Sequence, residues 1–246
     1  LAYAAGRITA AEGRAIGVHV NLAPVVDVNN NPMNPVINTR SFGEDPVQVG
    51  AIANAYVSGL RDGGMLATLK HFPGHGDTDV DSHLGLPLIA HPRERLDLIE
   101  LRPFRDGIAS GVDGVMTAHI ELSGLEPAEV TPVTFSERVV RGILREELGF
   151  EGLVFTDSLR MRAVTELVSS GEAAARAVHA GHDVVLHSPD DAAAFAGIKD
   201  AVSTGLIAEV DIDESVERLL IAKARLGLHR SRAVSFDTLP LVVGTR

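Results

Sequence analysis

Cysteine is absent from the 246-residue sequence. The chain therefore forms no disulfide, uses no thiolate nucleophile and builds no cysteine-ligated zinc site. Positive charge is also in short supply, because 22 Lys and Arg residues against 33 Asp and Glu residues give a net charge of −11. Nucleic acids and anionic membrane surfaces attract the opposite sign of charge. We expect neither as a partner, and neutral or amphoteric small molecules are the favoured ligands.

Long apolar stretches are missing as well. No hydrophobic run approaches the roughly 20 residues that a membrane-spanning helix needs, so the sequence predicts no transmembrane span. The hydrophobic fraction is nevertheless 45%, which suffices for one large domain with its own core. The chain starts at Leu1, inside a helical pattern and without a methionine. We expect its natural start to lie upstream, so the lack of a targeting signal does not indicate a localisation.

Helical and strand-like patterns alternate along the chain. Apolar segments predict five strands, at residues 18–28, 65–70, 114–120, 153–156 and 183–187. Amphipathic patterns predict helices at residues 2–16, 46–62, 92–110, 135–148, 171–180, 190–204 and 213–226, with Ser136 and Asp213 as candidate caps. Strands that alternate with helices in this way indicate a parallel sheet covered by helices.

Polar residues collect where the predicted strands end, namely Asp27, Lys70, His71, His119, Asp157 and His187. This arrangement is typical of the active face of a (β/α)8 barrel. An open doubly wound sheet is the alternative, but no glycine-rich phosphate-binding turn follows a first strand. Since five strands are fewer than eight, we expect an α/β fold of the TIM-barrel type that lacks its N-terminal strands. This domain would cover residues 1–230, with a linker or tail at residues 231–246.

The densest group of reactive side chains lies at residues 70–83 and contains a lysine, three histidines and three aspartates. Such loops on a rigid scaffold commonly carry catalytic residues. Only one residue separates Asp81 from His83, so both side chains can point to the same side of an extended segment. A carboxylate bound to imidazole fixes its tautomer, which makes His83 a candidate general acid/base. The alternative is that these side chains only tie the loop together, and for His75 we favour that structural role.

The same loop offers a second interpretation, a metal site. Its candidate ligands are His71, His75, Asp77, Asp79, Asp81 and His83. However, the loop has no His-x-His or His-Glu-x-x-His spacing, and its aspartates lack the length and terminal Glu of an EF-hand. We therefore predict that no metal takes part in catalysis.

Asp157 follows the predicted strand at residues 153–156. A carboxylate at the end of a buried strand is a candidate nucleophile, able to attack an anomeric carbon, although a helix N-cap is the alternative. Arg40, Lys70 and His71 are suited to hydrogen bonding with sugar hydroxyls, with structural ion pairs as the alternative for each. For His119 and His187 we expect supporting or core positions.

These residues together resemble glycoside hydrolase family 3, and in particular its β-N-acetylhexosaminidase branch. The branch pattern Lys-His-(Phe/Ile)-Pro-Gly-His-Gly-x-x-x-x-Asp-x-His matches residues 70–83 at every fixed position. Residues 24–28, 40–46 and 152–161 resemble further signatures of the family. The likeness runs from Leu1 to about Leu228, which is nearly the whole chain.

The resemblance implies a role for each matched residue. Asp157 would be the nucleophile of a retaining mechanism, and His83, assisted by Asp81, would be the general acid/base. Arg40, Lys70 and His71 would contact the terminal N-acetylglucosamine. The expected substrates are peptidoglycan fragments or chitooligosaccharides, and the family requires no cofactor or metal.

Several alternatives remain open beside this assignment. They are a β-glucosidase, β-xylosidase or N-acetylglucosamine phosphorylase of the same family, a non-catalytic sugar-binding fragment and, more remotely, a metallohydrolase. The family also places two further strands before the point where this chain begins, and the second carries an aspartate that grips sugar hydroxyls. A missing N-terminal segment or a second domain is therefore an expected partner.

Overall fold

The computed structural model of the protein describes residues 1–125 and 131–245. Its centre is a parallel four-stranded sheet in the order β1-β2-β4-β6. The strands are β1 (Val20–Asn21), β2 (Leu66–Phe72), β4 (Gly114–Thr117) and β6 (Leu153–Phe155), and a small parallel pair joins β3 (Leu88–Ile89) to β5 (Glu121–Leu122). Because the four strands are parallel, their carboxyl ends lie along one edge of the sheet.

Helices cover this sheet. They are α1 (Ala2–Ala15), α2 (Pro46–Asp62), α3 (Arg93–Leu98), α4 (Arg102–Ala109), α5 (Arg162–Thr165), α6 (Ser170–Ala180), α7 (Asp191–Ser203), α8 (Glu209–Arg225) and α9 (Leu239–Val242). The segment Arg138–Glu147 is a π-helix, and Asn38–Arg40, Val133–Phe135 and Phe236–Thr238 are single 3₁₀ turns. No helix of the described ranges is both long and apolar enough to cross a bilayer.

Alternating residues of the inner strands divide between two hydrophobic clusters. Val115 and Val154 belong to the large cluster, which also contains the edge-to-face pair of Phe72 and Phe104. Met116 and Phe155, the next residue of each strand, belong to a second cluster that reaches α8. Burial on both faces is the pattern expected of a parallel sheet, and it gives the carboxyl ends of the strands a rigid base.

The structure confirms an α/β fold with a parallel sheet, and the predicted helix at residues 46–62 matches α2 at both ends. Two predicted strands are wrong in extent. Residues 18–28 pair continuously only at β1, since Pro24 has no N–H with which to extend a ladder. Residues 183–187 make a single bridge, between Val184 and Phe155, and the left-handed backbone of His187 (φ 49°) ends the extended segment.

Two predicted helices also differ from the structure. The helix expected at residues 92–110 is divided into α3 and α4, because Pro103 has no N–H to donate to a carbonyl four residues earlier. The helix expected from residue 213 begins at Glu209 with Ala208 as its N-cap, so Asp213 is not a cap. Ser136 does act as expected, because its hydroxyl accepts a hydrogen bond from the Val139 N–H.

The closed eight-stranded barrel stays a prediction. Within the described ranges the main sheet has four strands and two edges, at β1 and at β6 with its bridge to Val184. The domain boundary at residue 230 also stays a prediction. The segment after it contains α9, and Gly244 donates a backbone hydrogen bond to the Glu12 carboxylate. Arg246, the last residue of the predicted tail, lies outside the described residues.

His182 is a histidine held neutral in the core. Its Nδ1 lies 2.9 Å from the Ala177 carbonyl, which can only accept, so Nδ1 carries the hydrogen. Its Nε2 then accepts from the Thr117 hydroxyl at 2.9 Å. Burial lowers the pKa of His182 from 6.5 to about 4.

This burial predicts a pH-dependent stability. Between pH 6.5 and about 4, His182 binds a proton in the unfolded chain but not in the folded chain. The free energy of unfolding therefore decreases as the pH falls through this range. We expect His182 to account for a loss of up to about 3 kcal/mol in the free energy of urea unfolding across this window, and His182→Gln to remove that part of the slope. Burial also lowers the pKa of His75 and of His119, so the variant keeps the contributions of these two histidines. An unchanged slope in the variant would assign the acid sensitivity to other groups.

Candidate active site

A buried carboxylate organises the edge of the sheet where the strands end. Asp27 is fully buried and accepts three hydrogen bonds, from the backbone N–H of His71 (3.1 Å), the Nδ1 of His71 (2.7 Å) and the backbone N–H of His75 (2.7 Å). Burial by itself would raise the pKa of Asp27, but the charge and hydrogen bond of His71 lower it below its ordinary value. Asp27 is therefore an ionised anchor for the segment that follows β2.

His71 connects this anchor to Asp157. Because the Asp27 carboxylate accepts, the hydrogen of their shared bond lies on Nδ1 of His71, and the ring orientation is fixed. The opposite ring nitrogen, Nε2, lies 3.9 Å from Oδ2 of Asp157 and 3.4 Å from Nη2 of Arg40. The imidazole thus lies between a buried carboxylate and a second carboxylate that is partly open to solvent.

Asp157 lies two residues after the end of β6, and its Oδ1 accepts a hydrogen bond from the Ser158 N–H at 2.7 Å. Its side chain is 22% exposed, so solvent reaches it. Burial opposes ionisation, yet the charges of His71 and His119 keep the pKa of Asp157 below its ordinary value. The helix-cap alternative is wrong, because the following helix α5 has Met161 as its N-cap. An accessible, ionised carboxylate of this kind can act as a nucleophile.

Two cationic side chains complete this group. Lys70 belongs to β2, and Arg40 ends the 3₁₀ turn that precedes α2. Burial lowers the pKa of Lys70, and the nearby charge of Arg40 lowers it further, while Asp157 and Asp27 oppose both effects. Neither cation forms an ion pair within 4.0 Å in the ranges that the structure covers, which leaves both available to hydrogen-bond a polar ligand.

The loop after β2 has two structurally distinct parts. The first, residues 74–78, we call the anchored half. His75 is buried there, with Nδ1 2.7 Å from the Thr78 hydroxyl and Nε2 3.0 Å from the Ser82 hydroxyl, while Asn34 donates to the His75 and Gly76 carbonyls. A Cβ on Gly76 would lie 1.8 Å from the Val28 carbonyl oxygen, so only glycine fits. These contacts agree with the structural role expected for His75.

The second part, residues 79–83, we call the outer half, and it contains the predicted Asp81–His83 pair. Oδ1 of Asp81 lies 2.8 Å from both the backbone N and the Nδ1 of His83. These hydrogen bonds lower the pKa of Asp81 against the opposing effect of burial. The His83 side chain is 61% exposed, and within the described ranges it makes no polar contact with Asp157. The structure therefore brings Arg40, Lys70, His71 and Asp157 together and shows the Asp81–His83 pair as a separate, exposed group.

Of three polar residues at predicted strand ends, Asp27 contributes more to the site than the sequence predicts, His119 takes the supporting position expected for it, and His187 lies elsewhere. The sequence predicts Asp27 only as a polar residue at a strand end, although a carboxylate within an otherwise apolar segment is a usable signal of a functional position. His119 is fully buried, and its Nε2 lies 3.0 Å from the carbonyl of Ser158, so it supports the segment next to Asp157. His187 is exposed, and the prediction of a core position for it is wrong.

The six candidate metal ligands of the loop are not gathered around one point. His71 is bound to Asp27, His75 to two hydroxyls and Asp81 to His83. Of the six, Asp77 alone lies in a group of three potential ligands within the described ranges, together with His91 and Glu100 from outside the loop.

Comparison with known proteins identifies the family. Residues 1–222 match the model described as "Glycosyl hydrolase family 3 N terminal domain". Beta-hexosaminidase A of Pseudoalteromonas piscicida is 37% identical over 87% of this chain and 39% of its own length. Beta-hexosaminidase of Xylella fastidiosa is 41% identical over 76% of this chain and 54% of its own length. The chain thus spans about half the length of these relatives, or less.

Solved structures agree with this match. A glycoside hydrolase family 3 beta-N-acetylglucosaminidase from Paenibacillus sp. str. FPU-7 superimposes with a TM-score of 0.91 at 45% identity, over 98% of this chain and 48% of that one. Beta-glucoside phosphorylase BglX superimposes with a TM-score of 0.92 at 30% identity, over 98% of this chain and 45% of that one.

Proposed function

Because this chain belongs to glycosyl hydrolase family 3, we propose that it carries the active site of a retaining exo-β-N-acetylglucosaminidase. Its substrates would be peptidoglycan fragments or chitooligosaccharides that end in N-acetylglucosamine. The observation that carries this proposal is the placement of Asp157, an ionised carboxylate open to solvent and 3.9 Å from a histidine that Asp27 holds in one orientation. The hexosaminidase names of the relatives support the choice of sugar.

The proposed reaction has two steps. In the first, a carboxylate oxygen of Asp157 bonds to the anomeric carbon while the bond to the leaving oxygen breaks, and protonated His83 gives its proton to that oxygen. In the second, neutral His83 takes a proton from water, and the water oxygen displaces Asp157 from the same carbon. Two displacements retain the β configuration. Asp81 acts on His83 by fixing its tautomer and stabilising the imidazolium.

The remaining polar residues have a binding role in this proposal. Arg40, Lys70 and His71 would hold the hydroxyl groups of the terminal sugar. The two cations would donate N–H groups to these hydroxyls, and Nε2 of His71 would accept from one. For the exposed Asp81–His83 pair to protonate the leaving oxygen, the outer half must approach Asp157. We also propose that the sheet is part of a (β/α)8 barrel, because its edges at β1 and Val184 offer unpaired backbone to further strands.

Phosphorolysis is the second candidate, because a structure with a similar fold is titled as a beta-glucoside phosphorylase. A neutral imidazole does not repel phosphate as a carboxylate base would, so phosphate could replace water in the second step. The product would then be the sugar 1-phosphate instead of the free sugar.

The decisive assay compares 4-nitrophenyl N-acetyl-β-D-glucosaminide with the matching β-glucoside, each with and without added phosphate. We expect release of nitrophenol from the acetamido sugar and free N-acetylglucosamine as the product. Faster turnover of the glucoside would move the assignment to a β-glucosidase, and a sugar 1-phosphate would establish phosphorolysis. Binding of N-acetylglucosamine without turnover of either substrate would identify a sugar-binding domain.

The proposed acid role of His83 predicts an effect that depends on the leaving group. His83→Ala should slow cleavage of chitobiose by about 10²–10⁴-fold, because its leaving oxygen needs a proton. The 2,4-dinitrophenyl glycoside needs none, so its first step should change little. The wild-type rate should also fall on the alkaline side of a bell-shaped pH profile, and the variant should lose that fall.

A matched histidine serves as the control. His229 is exposed and lies after α8, so His229→Ala should leave both substrates unaffected. Equal losses on the two substrates in His83→Ala would contradict general-acid catalysis by this residue.

A further inference from the structure

A second cluster of ligand-type side chains lies apart from Asp157. Asp77, His91 and Glu100 each offer one potential ligand atom, and these atoms all lie within 4.8 Å of one another. The shortest contact is 2.6 Å, between Nε2 of His91 and Oδ2 of Asp77. The three residues come from separate segments, the anchored half, the stretch after β3 and the residues before α4.

Glu100 supplies an independent sign that something else binds here. Its side chain is 2% exposed, and Oε1 accepts hydrogen bonds from Asn30 and Arg95 at 3.2 and 3.3 Å. The other oxygen, Oε2, is buried without a donor, and so is Oδ1 of Asn30. A buried carboxylate oxygen without a hydrogen-bond donor destabilises a fold, because it has lost its water and gained no partner. Two unpaired oxygens on neighbouring side chains are the environment that a cation would satisfy.

The one positive side chain in this cluster does not compensate both carboxylates fully. Nη2 of Arg95 lies 3.2 Å from Oε1 of Glu100 and 3.7 Å from Oδ2 of Asp77, so a single guanidinium forms ion pairs with two carboxylates. Arg95 bonds to Oε1 of Glu100, on the same oxygen as Asn30, and leaves Oε2 uncompensated.

We propose that Asp77, His91 and Glu100 bind a zinc ion. Imidazole nitrogen and carboxylate oxygen are both zinc ligands, and water can be the fourth ligand of a tetrahedron, whereas magnesium and calcium prefer oxygen ligands alone. The ion takes the place of the hydrogen between Nε2 of His91 and Asp77, and the imidazole then carries its hydrogen on Nδ1. Protons compete with the ion for the imidazole and the carboxylates, so binding weakens as the pH falls. Arg95 can keep its bond to Oε1 of Glu100.

The position of the ion gives it a structural role. Asp77 and His91 flank the outer half on either side in sequence, and Glu100 packs against the anchored half, where a Cβ on Gly74 would lie 2.8 Å from the Cβ of Glu100. Zinc would therefore close the base of the segment that carries Asp81 and His83, without contacting Asp157. The zinc proposal does not depend on the proposed glycosidase activity, because none of its three ligands takes part in that reaction.

The test is isothermal titration of the chelator-treated full chain with zinc chloride alone. We expect one saturable site, whose affinity falls at least about 100-fold in His91→Ala and in Asp77→Asn, since loss of a second-shell partner alone costs 10–100-fold. Zinc should also raise the melting temperature of the wild-type chain, because it binds the folded state. Glu100→Gln keeps the shape of the side chain but should not show this rise. Circular dichroism identifies any variant that fails to fold.

Two controls make the outcome decisive. Asp79 is exposed in the same loop, so Asp79→Asn should bind zinc as the wild type does. His83→Ala should also bind zinc as the wild type does, because His83 is not one of the proposed ligands. Zinc binding that survives in His91→Ala and disappears in His83→Ala would overturn the proposal, as would the absence of saturable binding to the wild-type chain.

Discussion

Replacing Asp157 with asparagine should lower kcat for the acetamido glycoside by at least about 10⁴-fold, a loss typical of removing a nucleophile. The carboxamide keeps the shape of the side chain and can still accept from the Ser158 N–H, but it does not form the covalent glycosyl intermediate. Initial rates with 4-nitrophenyl N-acetyl-β-D-glucosaminide measure the effect. The matched control is Asp190→Asn at the N-cap of α7, where asparagine caps as well as aspartate and the activity should not change.

A chemical rescue distinguishes loss of the nucleophile from general damage. In Asp157→Ala, azide can enter the vacated space and attack the anomeric carbon of an activated dinitrophenyl substrate. A single displacement inverts the carbon, so the product should be the α-glycosyl azide. A β-glycosyl azide, or wild-type rates in Asp157→Asn, would show that another group attacks the sugar.

Asp27→Ala should produce the largest loss of stability among single substitutions in the site, about 3–5 kcal/mol in the free energy of unfolding. The substitution leaves two buried backbone N–H groups and Nδ1 of His71 without their acceptor. Urea denaturation followed by circular dichroism measures it. The folded fraction of the variant should also bind N-acetylglucosamine more weakly, because His71 would no longer be held in one orientation.

Asp45→Ala is the matched control for this experiment. Asp45 also accepts two backbone hydrogen bonds, from Val47 and Gln48, but it does so at the exposed N-terminus of α2. Loss of a helix cap typically destabilises by about 1 kcal/mol. Equal losses for the two variants would show that burial adds nothing at Asp27.

The parts of the fold predicted correctly are those fixed by neighbouring residues. Asp45 and Pro46 mark the start of α2, and the glycine at position 63 follows its last residue. The Asp81–His83 pair is equally local, since its partners lie two residues apart. In both cases the sequence spacing itself determines which atoms can meet.

The errors come from contacts between distant segments. Asp27 meets the backbone N–H of His75 from 48 positions away, and Glu100 meets Asn30 from 70 positions away, which no local pattern reveals. The predicted strand at residues 183–187 failed for a related reason. Its apolar residues lie at one edge of the sheet and form a single bridge to β6. The apolar composition of a segment does not show whether it pairs with one neighbour or with two.

The division of the loop after β2 into an anchored half and an outer half bears on how this region can be redesigned. The anchored half packs its backbone against Val28 at Gly76, so an inserted residue or a larger side chain there would displace His71 from Asp27. In the outer half, Asp79, Val80 and His83 are exposed, whereas Ser82 is buried and its hydroxyl lies 3.0 Å from Nε2 of His75. The side chains at positions 79 and 80 can therefore be varied in a library to change the acceptance of different leaving groups, with Ser82 kept, while recognition of the terminal sugar stays intact.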